Sequence, residues 1–135
     1  MDNKELISLA FGAMEKAYAP YSGYKVGAAL LTQDGKVYTG CNIENAAYGP
    51  TNCAERTAFF KAVSEGERRF AKIAVTGGRD GKPDDYFYPC GVCRQVMAEF
   101  CTRDFEIITA VSQEDYVSVT LENLLPYGFT PDKLK

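Results

Sequence analysis

Three cysteines and one glutamate carry the chemistry that this sequence can do. Cys53-Ala54-Glu55 and Pro89-Cys90-Gly91-Val92-Cys93 each stand where a helix is expected to begin. The unpaired N–H groups and positive dipole end of a helix start favour thiolate over thiol. The chain has no histidine, which removes Ser-His-Asp triads, Cys-His dyads and imidazole ligands. Three thiolates form a soft, sulfur-only set suited to zinc. Three protein ligands also leave the fourth tetrahedral position open, as in catalytic sites. Glu55, beside Cys53, is expected to stay off the metal and to do the acid/base work that histidine cannot.

Charge sets a further requirement. Zinc with three thiolates carries one net negative charge, which opposes ionisation of a bound water unless positive charge lies close. Helix ends supply part of it, and Arg56 and Arg94 each follow a ligand-bearing segment. Arg56 is the main candidate to donate hydrogen bonds to ligand sulfur. A Cys-x-x-Cys pair read alone also fits a redox motif or half of a structural zinc site. The redox reading wants a thioredoxin-like βαβ pattern and has no use for Cys-Ala-Glu. A closed four-cysteine site needs one more ligand. Cys101 falls roughly two turns, about 12 Å, along the helix of Cys93 and reads as core. Cys41, at the end of a strand, remains open as a fourth ligand.

The elements that must position these residues follow from periodicity. Residues 3–18 carry Leu6, Ala10, Ala13, Met14 and Ala17 at helical spacing, with an end expected before Pro20. Strands are expected at Val26–Leu31 and Val37–Cys41, around the turn residues Gln33-Asp34-Gly35. A helix follows over Ala54–Ser64, stopped by Gly66, and then a short buried strand at Ile73-Ala74-Val75. Gly77–Asp85 reads as a surface loop. A helix over Gly91–Phe100 turns Val96, Met97 and Phe100 inward. Strands near Glu106–Val111 and Tyr116–Val119 precede a short helix capped by Thr120 and ending before Pro126. The order is that of an α/β layered fold, a mixed sheet of five strands covered by helices on both faces.

Composition narrows the function classes. A length of 135 residues, 46% hydrophobic and 24% charged, implies one globular domain over 1–135 that buries about two-thirds of its unfolded surface. Net charge is −3 and the basic residues are scattered, with Arg68-Arg69 flanked by Glu65 and Glu67, so no face is built to grip nucleic acid. No apolar stretch is long enough to span a membrane, and the N-terminus shows no signal-peptide core. An odd count of five cysteines then fits free or metal-bound thiols in a reducing cytoplasm.

Cys-Ala-Glu followed by Pro-Cys-x-x-Cys is the zinc nucleobase-deaminase arrangement, with Cys53 in place of the usual histidine. The match extends to Ala19-Pro20-Tyr21-Ser22, Val26-Gly27-Ala28-Ala29-Leu30, Gly40-Cys41-Asn42-Ile43-Glu44-Asn45-Ala46, Asn52 through Ala58, Pro89 through Val96, and Leu124-Leu125-Pro126. In these blocks the chain resembles the short-chain, homotetrameric, zinc-dependent cytidine deaminases across nearly its whole length. The resemblance implies a three-layer αβα cytidine deaminase-like fold. It also implies one zinc per chain on Cys53, Cys90 and Cys93, Glu55 as proton shuttle, and Arg56 offsetting thiolate charge. Asn42 and Glu44 fall on positions that bind ribose hydroxyls. Their reading without the family is an Asx-turn and a solvated charge. Tyr24 stands where phenylalanine usually lines the pyrimidine pocket, Ala54 lies where backbone amides read the base edge, and Phe129 matches an aromatic that covers a neighbouring subunit's site. The loop Gly77–Tyr88 is longer than the family's.

The implied activity is hydrolytic deamination of cytidine and 2'-deoxycytidine to the uridine nucleosides with release of ammonia, a pyrimidine salvage reaction. The implied partner is a small nucleoside, with no nucleic acid and no membrane, in a homotetramer whose active sites lie near subunit interfaces. A deaminase of a cytosine-containing antibiotic nucleoside shares the zinc motifs, but Asn42 and Glu44 favour an unmodified sugar. A polynucleotide-editing enzyme lacks the basic surface it would need here. A non-enzymatic zinc protein closed by Cys41 is the alternative from another class.

Overall fold

A computed structural model describes residues 1–135. Its elements, in chain order, are α1 (Asn3–Met14), β1 (Tyr24–Thr32), β2 (Val37–Cys41), α2 (Ala54–Ser64), β3 (Phe70–Arg79), α3 (Gly91–Phe100), β4 (Glu106–Ala110), β5 (Tyr116–Thr120) and α4 (Leu121–Leu124), with a final 3-10 turn at Pro131–Leu134. The strands form one sheet in the order β2-β1-β3-β4-β5. β3 and β4 run parallel, and the other neighbours are antiparallel. This is the expected mixed five-stranded sheet.

Strand alternation divides the core in two. Ala28 and Leu30 of β1, Ile73 and Val75 of β3 and Ile107 of β4 face Ala54, Ala58, Phe59 and Ala62 of α2 and Met97 of α3. Ala29, Leu31, Ala74 and Ile108 face Leu6, Ile7 and Ala10 of α1. Both faces of the sheet are therefore covered, which gives the three αβα layers. Two strand glycines set how closely the helices approach. A Cβ on Gly27 would lie 2.1 Å from the Ala10 carbonyl oxygen of α1, and one on Gly40 would lie 2.5 Å from the Ala54 oxygen of α2. Backbone packs directly on backbone at both points.

Two expectations need correction. The first helix ends at Met14 rather than continuing to Tyr18. Lys16 and Ala17 close the turn onto Ala13 and Met14. Tyr18 then leaves the helical path to bridge Ile43, with its amide on the Asn42 carbonyl at 3.0 Å and its carbonyl taking the Glu44 amide at 2.9 Å. A long-range pairing thus overrides the helical period. Likewise Gly77 and Gly78 belong to β3, paired with Val26 and Lys25 of β1, and not to a surface loop. The chain folds back over Gly78 so tightly that a Cβ there would lie 2.1 Å from the Lys82 carbonyl oxygen. That close approach accounts for a glycine in the strand.

Candidate active site

The sheet and its α2/α3 face bring two helix starts together. Cys53 is the N-cap of α2 and Cys90 the N-cap of α3, and neither side chain caps its own helix. Cys93 lies in the first turn of α3. Their sulfurs converge, with Cys53 Sγ to Cys90 Sγ at 3.8 Å, Cys90 Sγ to Cys93 Sγ at 3.6 Å, and all three within 4.8 Å of one another. Zn–S bonds of about 2.3 Å at tetrahedral angles put sulfurs about 3.8 Å apart, so the set fits a single zinc ion. No fourth Cys, Asp or Glu joins it. Cys41 instead points its thiol at the Lys16 carbonyl, at 3.4 Å. Cys101 caps the far end of α3 and packs on the core. The closed four-cysteine arrangement is therefore not formed.

Electrostatics distinguish Cys53 from Cys93. Hydrogen bonding from Cys93 holds the Cys53 thiol down to about 5, against the opposing effect of burial and with help from Arg56 and Cys90. Cys93 is pushed strongly upward by the same hydrogen bond and by burial. Without a metal, thiolate is therefore favoured on Cys53 over Cys93, and Arg56 Nη2 donates to the Cys53 Sγ at 3.3 Å. Arg56 takes the expected position; Arg94 does not. Its guanidinium donates to the carbonyls of Pro89 (2.6 Å) and Leu124 (2.7 Å), so it fastens the approach to Cys90 and does not face sulfur.

Glu55 is 5% exposed. Burial pushes its carboxyl up to about 7, with the Cys53 charge adding to the effect and its own backbone amide and Arg56 opposing it. Such a group exchanges a proton near neutral pH. Glu55, Cys53, Ala54 and Cys90 line one cavity of about 280 Å³ together with Tyr24, Asn42 and Glu44. Asn42 Nδ2 donates to the Tyr24 carbonyl and its Oδ1 accepts the Val26 amide, both at 2.8 Å. Glu44 accepts the amides of Tyr21 (3.0 Å) and Ser22 (3.1 Å).

Phe129 is not brought to this cavity. It is 57% exposed, on a C-terminal segment tied by Gln95 Nε2 to the Phe129 carbonyl at 2.8 Å. Among the lining residues to which the sequence reading gave no role are two aromatics, Phe87 and Tyr88. The Phe87 ring meets Tyr24 edge-on with centroids 6.0 Å apart, and Arg79 stacks on Tyr24 at 4.5 Å. The available signal was the aromatic run Tyr86-Phe87-Tyr88 directly before Pro89. This gives the long loop a physical role, because its last residues, Phe87 and Tyr88, supply part of the cavity wall.

A sulfur-only, three-ligand metal site across two helix starts of an αβα layered fold, with a buried carboxyl beside it, defines the class of zinc-site deaminase-like proteins. Residues 1–109 match the family described as the cytidine and deoxycytidylate deaminase zinc-binding region, and the chain belongs to that family. It is 49% identical to the cytidine deaminase of Sporosarcina psychrophila over 134 residues, spanning 99% of this chain and 96% of the relative. It is 51% identical to that of Halalkalibacterium halodurans, spanning 99% and 98%. The crystal structure of cytidine deaminase from Burkholderia pseudomallei superposes with a TM-score of 0.88 at 50% identity, covering 96% of this chain and all of that one. No helix is long and apolar enough to cross a membrane.

Proposed function

We propose that the protein hydrolyses free cytidine and 2'-deoxycytidine to uridine and 2'-deoxyuridine, each turnover consuming one water and releasing one ammonia, as a cytoplasmic enzyme of pyrimidine salvage. One observation carries this reading: Cys53 and Cys90 of the three-sulfur cluster and the buried Glu55 line the same cavity as Asn42 and Glu44. Cys53, Cys90 and Cys93 hold zinc, which when bound supplies Lewis-acid activation of the hydrolytic water. Arg56 balances the thiolate charge.

Glu55, with a carboxyl near neutrality, takes the proton of the hydrolytic water and places it on ring N3. As the water oxygen bonds to C4, its remaining proton passes through Glu55 to the amino group, and the C4–N bond breaks to release ammonia. Backbone amides around Ala54 read the base edge, Tyr24 and Phe87 form its aromatic wall, and Asn42 and Glu44 take the sugar hydroxyls. No lysine or arginine lines the cavity, and Glu44 would repel a phosphate, so the substrate is a nucleoside rather than a nucleotide.

The exposed Phe129, outside its own chain's cavity, supports a homotetramer in which it covers a neighbour's site. The 135 residues act as one catalytic domain. The test follows ultraviolet absorbance with cytidine, 2'-deoxycytidine, cytosine and cytidine 5'-monophosphate in parallel, with light scattering for mass. Turnover of both nucleosides, with base and nucleotide untouched, is expected from a particle of four chains. Inert nucleosides with zinc at one per chain would overturn the substrate assignment. A monomer with full activity would overturn the role of Phe129.

A further inference from the structure

Ser22 lies in the turn between α1 and β1. It lines both the main cavity and an adjoining hollow formed with Tyr21, Asn45 and Tyr48. Its hydroxyl donates to Oε2 of Glu44 and accepts the Tyr24 amide at 3.0 Å. Its own amide donates to Oε1 of Glu44 at 3.1 Å, beside the Tyr21 amide on the same oxygen at 3.0 Å. A serine hydroxyl has one proton to give. The Tyr24 amide can only donate to Oγ, so that proton is committed to Glu44. Both carboxylate oxygens are then gripped from one turn, and the carboxylate cannot rotate without breaking a hydrogen bond. The opposite side of Tyr24 is fixed too, because its carbonyl accepts from Asn42.

We propose that Ser22 is a positioning residue that sets the orientation of Glu44 and ties it to the Tyr24 wall, so that the sugar end and the base end of the cavity are held in one register. This rests on the reading that Glu44 faces the sugar. Removing the hydroxyl frees Oε2 and leaves the Tyr24 amide to water. The turn is solvent-accessible, so the fold survives, while Glu44 stays held at Oε1 by two backbone amides and is free to swing at Oε2. A charge-assisted hydrogen bond of this kind corresponds to a change of about tenfold or more in binding.

The experiment compares wild type, Ser22→Ala and Ser22→Thr by steady-state kinetics on cytidine and its 2'- and 3'-deoxy forms. In parallel, the Glu44 carboxyl is titrated by carbon-13 NMR. Ser22→Ala is expected to raise KM for cytidine about tenfold with kcat nearly unchanged, and to narrow the preference for cytidine over the deoxy forms. The Glu44 titration is expected to move to higher pH, and Ser22→Thr is expected to restore each property. Unchanged KM with an unchanged titration overturns the proposal. So does a fall in kcat accompanied by lost zinc and a lower melting temperature, which marks a purely structural residue. If wild type leaves all three nucleosides untouched, the substrate reading has failed instead, and the Glu44 titration alone decides whether Ser22 holds the carboxylate.

Discussion

Arg56 Nη2 lies 3.3 Å from Cys53 Sγ, so a helix-borne cation is fixed against the sulfur whose thiol is held down in the metal-free chain. The Nε of the same guanidinium is buried without a partner, which leaves the sulfur contact as its main polar engagement. Arg56→Ala removes a donor and a positive charge from the thiolate, and its pKa must rise from about 5. Iodoacetamide labelling of metal-stripped protein, mapped by mass spectrometry, is expected to show Cys53 reacting half-maximally at higher pH in the variant. An unchanged profile would remove Arg56 from the site's electrostatics.

Glu55 is not part of the sulfur cluster that would hold the ion, so Glu55→Gln should separate chemistry from metal binding. Zinc content at one per chain is expected to persist. Turnover should fall by a factor on the order of 100 to 10,000, the usual worth of a positioned acid/base group. Steady-state rates with metal analysis on the same sample make the check. Retained turnover would rule out the shuttle role.

The raised Glu55 carboxyl also has a stability consequence. Its pKa moves from 4.5 to about 7 in the metal-free fold, so between those values the folded chain binds more protons than the unfolded one. The contribution of the neutral carboxyl is fully present below pH 4.5 and is lost as pH rises to about 7. The size is on the order of 3 kcal/mol. Urea denaturation of metal-free protein at several pH values should therefore show wild type losing stability relative to Glu55→Gln across this window. Parallel curves for the two proteins would contradict the shifted carboxyl.

Gly27 and Gly40 offer a paired test, since each contacts a different helix. Gly40→Ala places a methyl group 2.5 Å from the Ala54 carbonyl oxygen and the Ala58 amide, which pushes away the helix whose N-cap is Cys53. A loss of roughly 1–3 kcal/mol is expected, together with reduced zinc content. Gly27→Ala strains α1 on the opposite face by a comparable clash with Ala10. It is expected to lower thermal stability while sparing zinc. Equal zinc loss in both variants would show that the site does not depend on α2 in particular.

Local signals and long-range ones divided unevenly in the sequence. The limits of β2, α2 and α3 could be read residue by residue, because period, turn residues and stops all lie within a few positions of one another. Cys53, Glu55, Cys90 and Cys93 were legible for a similar reason: helix starts place them, and helix starts are local. The early end of α1 and the length of β3 were hidden, since both depend on pairing with distant strands. Arg94 looked like a charge for the sulfurs and is a tie between two carbonyls; adjacency in sequence says nothing of where a long side chain reaches. Phe87 and Ser22 enter the cavity through the paths of their loops; an aromatic run before Pro89 hinted at the first, and no residue-type rule marks the second.

The three sulfurs come from helix starts on either side of β3, and β3 is the strand that joins the β1–β2 hairpin to β4. The cluster therefore cannot assemble until that strand has been inserted between its neighbours and both helices have docked on the same face. Zinc capture is in this sense a proofreading step on assembly. A chain with β3 out of register would keep Cys90 and Cys93 on one helix start but part them from Cys53, so full three-sulfur binding belongs to the finished fold alone.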